Sequence, residues 1–338
     1  MSDLPRAVIF HEEGPREGFQ IEKRIFPLAD RIALVNALGA SGLSQIQVGS
    51  FVNPKAVPSM ADTEQLFAGI TPRQGVRYTA LWLNESGFRR AQATPNVDLC
   101  AGLMLYTTDV FSERNSNCSA AEQREQQRQW VRLYQAAGLP IESAYVVTAF
   151  GCNFQGEVPV EDTVAAVKFI ADLAAEYGFP LPRIMLADTV GWANPEDIRH
   201  RIGAVRELLP DARLGLHLHD TRGVAAANLY AALEMGVDLF DSSVAGLGGC
   251  PFADHANSHG AGNVCTEDMV FMCEEMGIVT GVDLDRLIEA ALLAERIIGR
   301  PLAGKLMHAG RPKATGRLKP GDTDDAYDLK SPRLIDAM

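Results

Sequence analysis

The stretch RIMLADTVGWANPEDIRHRIGAVRELLPDARLGLHLHD, residues 183–220, decides the fold. It opens on a short apolar run, 183–188, and closes on another, 213–219, with a longer helical pattern over 195–209 between them. Strand, helix, strand in that order is one parallel βαβ unit. The unit recurs along the chain. Apolar runs fall at 7–12, 45–50, 77–83, 98–105, 144–150, 183–188, 213–219 and 238–244. Helical patterns lie at 24–40, 62–70, 86–93, 119–137, 160–178, 195–209, 222–236, 266–277 and 283–298. Eight alternations predict an α/β fold of the closed (β/α)8 TIM-barrel type. The runner-up is an open, doubly wound sheet, but no GxGxxG follows the first run, and GLGG at 246–249 lacks that spacing. The barrel is expected over 1–310, with 311–338, rich in turn formers, as a short C-terminal arm or cap.

Composition narrows the function classes. With 31 Lys and Arg against 43 Asp and Glu the chain carries a net charge of −12, and it has no basic block. That argues against nucleic acid, whose phosphates need clustered cations. No apolar run reaches membrane-spanning length, and MSDLPRAVIF does not resemble a signal peptide. The six cysteines, at 100, 118, 152, 250, 265 and 273, form no CxxC pair, so free thiols in a reducing cytoplasm are expected rather than a zinc knuckle.

A barrel carries its chemistry at the C-terminal ends of its strands, and the reactive residues cluster there. Arg16 and Glu17 follow the first run in GPREGFQ, which reads as a turn. Gln47 and Ser50 lie on the second run, Thr148 on the fifth, and Asp188 ends the sixth. His217 and His219 end the seventh, and Cys250 follows the eighth in GLGGCPF. Residues two apart on a strand share a face, so both imidazoles of HLH can reach one cation. The bland alternative is a pair of buried, hydrogen-bonded histidines. Two imidazoles with a carboxylate and an amide oxygen make a mixed N/O set suited to Mg²⁺ or Mn²⁺. Arg16 offers a cationic fork for a developing oxyanion, or else a surface ion pair. Cys250 is either a proton-transfer thiol on a glycine loop or a small buried hydrophobe. A small polyanionic ligand would meet local basic residues such as Lys23.

Across roughly 7–310 the ordered motifs GPREGFQ-EK, SGLSQIQVGSFVNPKAVPSMAD, AFGCNF, LADTVGWANP, HLHDTRG, DSSVAGLGGCPFA and GN-TED resemble 3-hydroxy-3-methylglutaryl-CoA lyase, within the metal-dependent barrel lyases and Claisen-type synthases. The resemblance implies a divalent cation held by Glu17, His217, His219 and Asn263. It implies Arg16 steadying an enolate oxygen, Cys250 moving the proton at the acetyl carbon, and Asp188 near the substrate. Gln20, Lys23, Ser50 and Thr189 are the candidate substrate-binding residues. The partner implied is a small acyl-CoA, cleaved to acetyl-CoA and an oxo acid, in a chain expected to form a homo-oligomer. Alternatives are a condensing synthase or a non-catalytic paralogue.

Four departures from that pattern bear on the chemistry. Glu17 stands where the lyase has Asp, Gln47 where it has Glu, and Ser143 where it has Arg. The segment from Cys250 to Asn263 is enlarged and brings in His255 and His259. Glutamine cannot accept a proton at neutral pH. The base then falls to His219, Asp188, Glu13, His255 or His259, the last two being either titrating groups or solvated loop residues.

Overall fold

The eight apolar runs all become strands. The computed structural model describes residues 4–249 and 262–312. Within them lie β1 (Ile9–Glu12), β2 (Gln45–Ser50), β3 (Arg77–Leu81), β4 (Ala101–Tyr106), β5 (Ile141–Val147), β6 (Arg183–Asp188), β7 (Leu214–Leu218) and β8 (Leu239–Ser242). All pairings between them are parallel, in the order 3-2-1-8-7-6-5-4. That is the cyclic order of a (β/α)8 barrel, with helices between the strands, as expected from the repeat. β3 and β4 form the two edges of the curled sheet. Asp98, just before β4, spans them at the base: its carboxylate accepts from Tyr78 N (2.7 Å) and its N–H donates to Tyr78 O (2.8 Å).

The period-two alternation of the strands sorts side chains between two environments. On β8, Leu239 and Asp241 face the interior cavity, while Phe240 turns outward and stacks on Phe10 of β1 at 5.9 Å. The outward layer packs under the helices and forms most of the apolar core. The interior floor is filled from neighbouring strands. A Cβ on Gly215 would come within 2.4 Å of Met185 Sδ and 2.9 Å of Leu239, so β7 needs glycine there.

Three local expectations are corrected. GPREGFQ is not a turn: it forms helix α1 (Gly14–Ile21). Pro15 sits in the first turn, where its missing N–H removes no helical hydrogen bond and its fixed φ suits the helix. The first long helix, α2 (Leu28–Gly39), starts at 28 rather than 24, because Pro27 holds an extended ψ of 135° at its N-cap. The fifth strand runs 141–147 rather than 144–150: Thr148 adopts φ +56°, which ends the extended run. A short helix over Asp109–Ser116 was not anticipated from the sequence. Among the described residues no helix is long and apolar enough to cross a membrane. Of the arm expected over 311–338, only Arg311 and Pro312 fall within the described residues.

Candidate active site

The end of β1 anchors the site. Glu12 is fully buried and accepts three hydrogen bonds, from Gly14 N (2.8 Å), Val244 N (2.8 Å) and Thr266 Oγ1 (2.7 Å). One carboxylate thereby ties the start of α1 to the segment after β8 and to the helix Thr266–Glu275. α1 then carries Arg16 and Glu17 into the cavity mouth. Gly248 makes room for them: it has φ +104°, and a Cβ there would lie 2.9 Å from Glu17 Cβ.

Glu17, His217 and His219 converge, with one ligand atom from each within 4.8 Å of the others. The two histidine Nε2 atoms are 3.0 Å apart, and Glu17 Oε1 is 3.9 Å from His217 Nε2. Asn263 Nδ2 donates to Glu17 Oε2 (2.7 Å) and to Ser243 Oγ (3.0 Å), while its Oδ1 is buried without a hydrogen-bond partner among the described residues. A buried amide oxygen left unpaired beside a carboxylate and two imidazoles fits a cation, because a cation would satisfy it. Behind His217, Asp241 Oδ2 accepts from Nδ1 (3.1 Å) and from Tyr145 OH (2.9 Å), which orients the ring with Nε2 inward.

The electrostatics follow from this packing. Burial alone would raise the Glu17 carboxyl, but Arg16, the two histidines and the Asn263 amide hold it below its ordinary value. Burial disfavours the His217 imidazolium, yet Glu17 and Asp241 raise its pKa to about 9. Burial also opposes charge on Asp241, but the His217 and His11 rings keep its carboxyl well below the usual range. In the metal-free protein the proton on His217 and a divalent cation compete for the same lone pair.

Arg16 lies alongside. Its Nη2 contacts Glu17 Oε1 (2.7 Å) and Glu13 Oε2 (2.9 Å), and its Nε donates to Gln47 Oε1. All four residues line a cavity of about 1750 Å³ that opens between β3 and β4 and the rim of the sheet. A cluster able to hold a cation and, beside it, a fixed guanidinium at the C-terminal ends of parallel strands suit a reaction that develops oxyanion charge.

Residues 7–293 match the HMGL-like family. The chain belongs to that family. It is 36% identical over 301 residues to a hydroxymethylglutaryl-CoA lyase of Bacillus subtilis, covering 89% of this chain and 96% of the relative. It is 37% identical over 310 residues to the human mitochondrial hydroxymethylglutaryl-CoA lyase, covering 91% of each. Two solved structures superpose with a TM-score of 0.81. One is a hydroxymethylglutaryl-CoA lyase from Pseudomonas aeruginosa (37% identity, 90% of this chain and 98% of that one). The other is an HMG-CoA lyase from Acinetobacter baumannii, in complex with coenzyme A and 3-methylmalate (34% identity, 94% and 100%).

In this HMGL-like chain the remaining expected residues separate. Gln20 and Thr189 line the cavity. Thr189 Oγ1 accepts from Thr148 N (2.9 Å), and Ser50 is buried behind the cavity wall, with Oγ donating to Gln20 Oε1 at 3.4 Å. Lys23 is exposed beyond the end of α1. Asp188 is buried, and its two oxygens accept from Trp192 N (2.7 Å) and Ala193 N (3.0 Å). Burial raises its pKa to about 6. That carboxylate shapes the turn after β6. Cys250, His255 and His259 lie outside the described residues. Sequence reasoning did not single out His11, Tyr145 or Asp241, which also line the cavity. The signal for Asp241 was available: on β8 it sits two residues from Leu239, on the inward face.

Proposed function

We propose that this chain is a divalent-metal-dependent carbon–carbon lyase acting on 3-hydroxy-3-methylglutaryl-CoA or a close branched 3-hydroxy-dicarboxylic acyl-CoA. The observation that carries the reading is the convergence of Glu17, His217 and His219 beside Arg16, in an HMGL-like chain. Glu17, His217, His219 and Asn263 would hold the cation, with Mg²⁺ or Mn²⁺ preferred for a set of two nitrogens and two hard oxygens. When bound, it supplies Lewis acidity that lowers the pKa of the substrate hydroxyl.

The chain's own residues do the rest. The tertiary hydroxyl gives up its proton to a base facing the cavity. Its oxygen lone pair becomes the carbonyl of the oxo acid, and the electrons of the broken carbon–carbon bond pass into the acetyl-CoA enolate. Arg16, held by three side-chain partners, presents a fixed positive charge for that enolate oxygen. Cys250 then returns a proton to carbon, releasing acetyl-CoA, with acetoacetate as the second product of the parent substrate. The bound pair in the Acinetobacter structure, a thiol carrier and a hydroxy-dicarboxylate, has the two chemical halves this substrate class combines. The free thiols at 100, 118, 152, 265 and 273 support a reducing, cytoplasmic setting.

The test is acetyl-CoA release with Mn²⁺ or Mg²⁺ from a panel: 3-hydroxy-3-methylglutaryl-CoA and other branched 3-hydroxy-dicarboxylic acyl-CoAs. Cleavage of at least one, abolished by chelation and restored by metal, is expected. Net condensation from acetyl-CoA and an oxo acid would instead identify a synthase, and no turnover in either direction a binding paralogue.

A further inference from the structure

Three side chains hold the Arg16 guanidinium, and they are not equivalent. Gln47 Oε1, on Nε, is neutral. Glu17 Oε1, 2.7 Å from Nη2, belongs to a carboxylate that also faces both histidines and Asn263. Glu13 Oε2, 2.9 Å from the same Nη2, makes its ion pair with Arg16, while Asp241, Glu17 and the His217 ring act on it only through charge. Glu13 is 2% exposed, follows β1 at the N-cap of α1 and lines the cavity. A buried carboxylate is costly unless it is paired, and Glu13 is paired with Arg16. If a cation draws on Glu17, Glu13 is the anion that remains to Arg16.

We propose that Glu13 is the positioning residue for Arg16: the dedicated carboxylate that fixes the guanidinium where the developing enolate needs it. The inference rests on the lyase reading above. It assigns the charge-bearing partner to the N-cap of α1, and it gives the neutral Gln47 on β2 a directional contact only. Because Gln47 Oε1 already meets Arg16 Nε, a carboxylate at position 47 would reach the same guanidinium through Nε. The anion can therefore be moved across Arg16 without moving Arg16.

The experiment uses the full chain with Mn²⁺ and compares wild type, Glu13→Gln, Gln47→Glu and the double variant. Glu13→Gln should lower kcat about 100-fold, the scale of a lost oxyanion-stabilising contact. KM for the acyl-CoA and Mn²⁺ affinity should stay close to wild type. Gln47→Glu alone crowds three carboxylates on one guanidinium and should also slow turnover. The double variant restores one dedicated anion and should turn over faster than either single variant, a non-additivity that a merely structural role would not produce. The inference is overturned if Glu13→Gln keeps its kcat, or if the double variant is no better than Glu13→Gln. Should wild type cleave nothing on the panel, the lyase reading fails by itself. The role of Glu13 is then judged on the ¹⁵N–¹H signals of the Arg16 guanidinium. Loss of its slowly exchanging Nη protons in Glu13→Gln and their return in the double variant uphold it; unchanged signals end it.

Discussion

At the scale of single residues, the proposed chemistry rests on lone pairs aimed at one point. His217 and His219 present their Nε2 atoms 3.0 Å apart because they are two residues apart in extended chain at the end of β7, and Asp241 holds the first ring by its other nitrogen. Removing a ligand should matter more than removing a second-layer partner. Glu17→Ala and His219→Ala are each expected to weaken Mn²⁺ binding by about 100-fold or more, measured by titration calorimetry. Since the raised His217 pKa means a proton must leave before a cation binds, Mn²⁺ affinity should climb as pH rises from 6 toward 9. A flat profile would show that His217 is not a ligand. Cys250→Ser is expected to keep metal affinity and thermal stability while losing most turnover, as a proton-transfer thiol requires. Full activity in that variant would remove the role.

At the scale of elements, α1 is placed by contacts on both sides. Glu12 holds its first turn, and the glycines of the GLGG segment leave space for its body. A Cβ on Gly18 would meet Leu247 Cβ at 2.8 Å, and one on Gly248 would meet Glu17 Cβ at 2.9 Å with φ at +104°. Gly248→Ala should therefore cost about 1–3 kcal/mol from backbone strain alone. It should also weaken metal binding, because the strain is released by displacing Glu17. Unchanged Mn²⁺ affinity in a folded Gly248→Ala protein would show that the segment does not set the carboxylate's position. Glu12→Ala unpairs two buried N–H groups and leaves the Thr266 hydroxyl with Ser242 Oγ alone (2.9 Å), so unfolding in urea should show a loss of about 2 kcal/mol or more.

Across the whole molecule, the barrel buries several acids where the sheet meets the outer helices. Burial raises Glu12 to about 8 and Glu267 to about 7, and both carboxyls lie near the end of β8. An acid whose pKa is raised on folding keeps its proton in the native state after the unfolded chain has lost it. Native stability then falls as pH rises from the unfolded value near 4.5 through the folded value. The His217 shift has the same sign, since its favourable charged contacts are lost as pH rises through about 9. Metal-free protein should thus unfold at lower urea concentration at pH 8.5 than at pH 5.5. Glu267→Gln, which cannot ionise, should flatten that dependence. A midpoint that increases with pH would contradict the burial of these groups as protonated acids.

Strand number, parallel sense and the C-terminal rim as the reactive end were legible in the sequence, because they follow from period and order: eight apolar runs separated by helical patterns allow few other closures. The HLH pair was legible for the same reason, since two-residue spacing on a strand puts both rings on one face whatever surrounds them. GPREGFQ was misread as a turn because glycine and proline punctuate turns and helix starts alike, and only the docking of Glu12 onto Val244 and Thr266 selects the helix. Asp188 looked reactive at its strand end, yet the turn at Trp192 and Ala193 takes up both of its oxygens. Tyr145 and Asp241 come from β5 and β8, far apart in the chain, whereas Glu13 lies only three residues before Arg16. The convergence of Tyr145 and Asp241 on His217 is a property of the curled sheet, which brings strand ends within hydrogen-bonding reach, and no local pattern of residues encodes it.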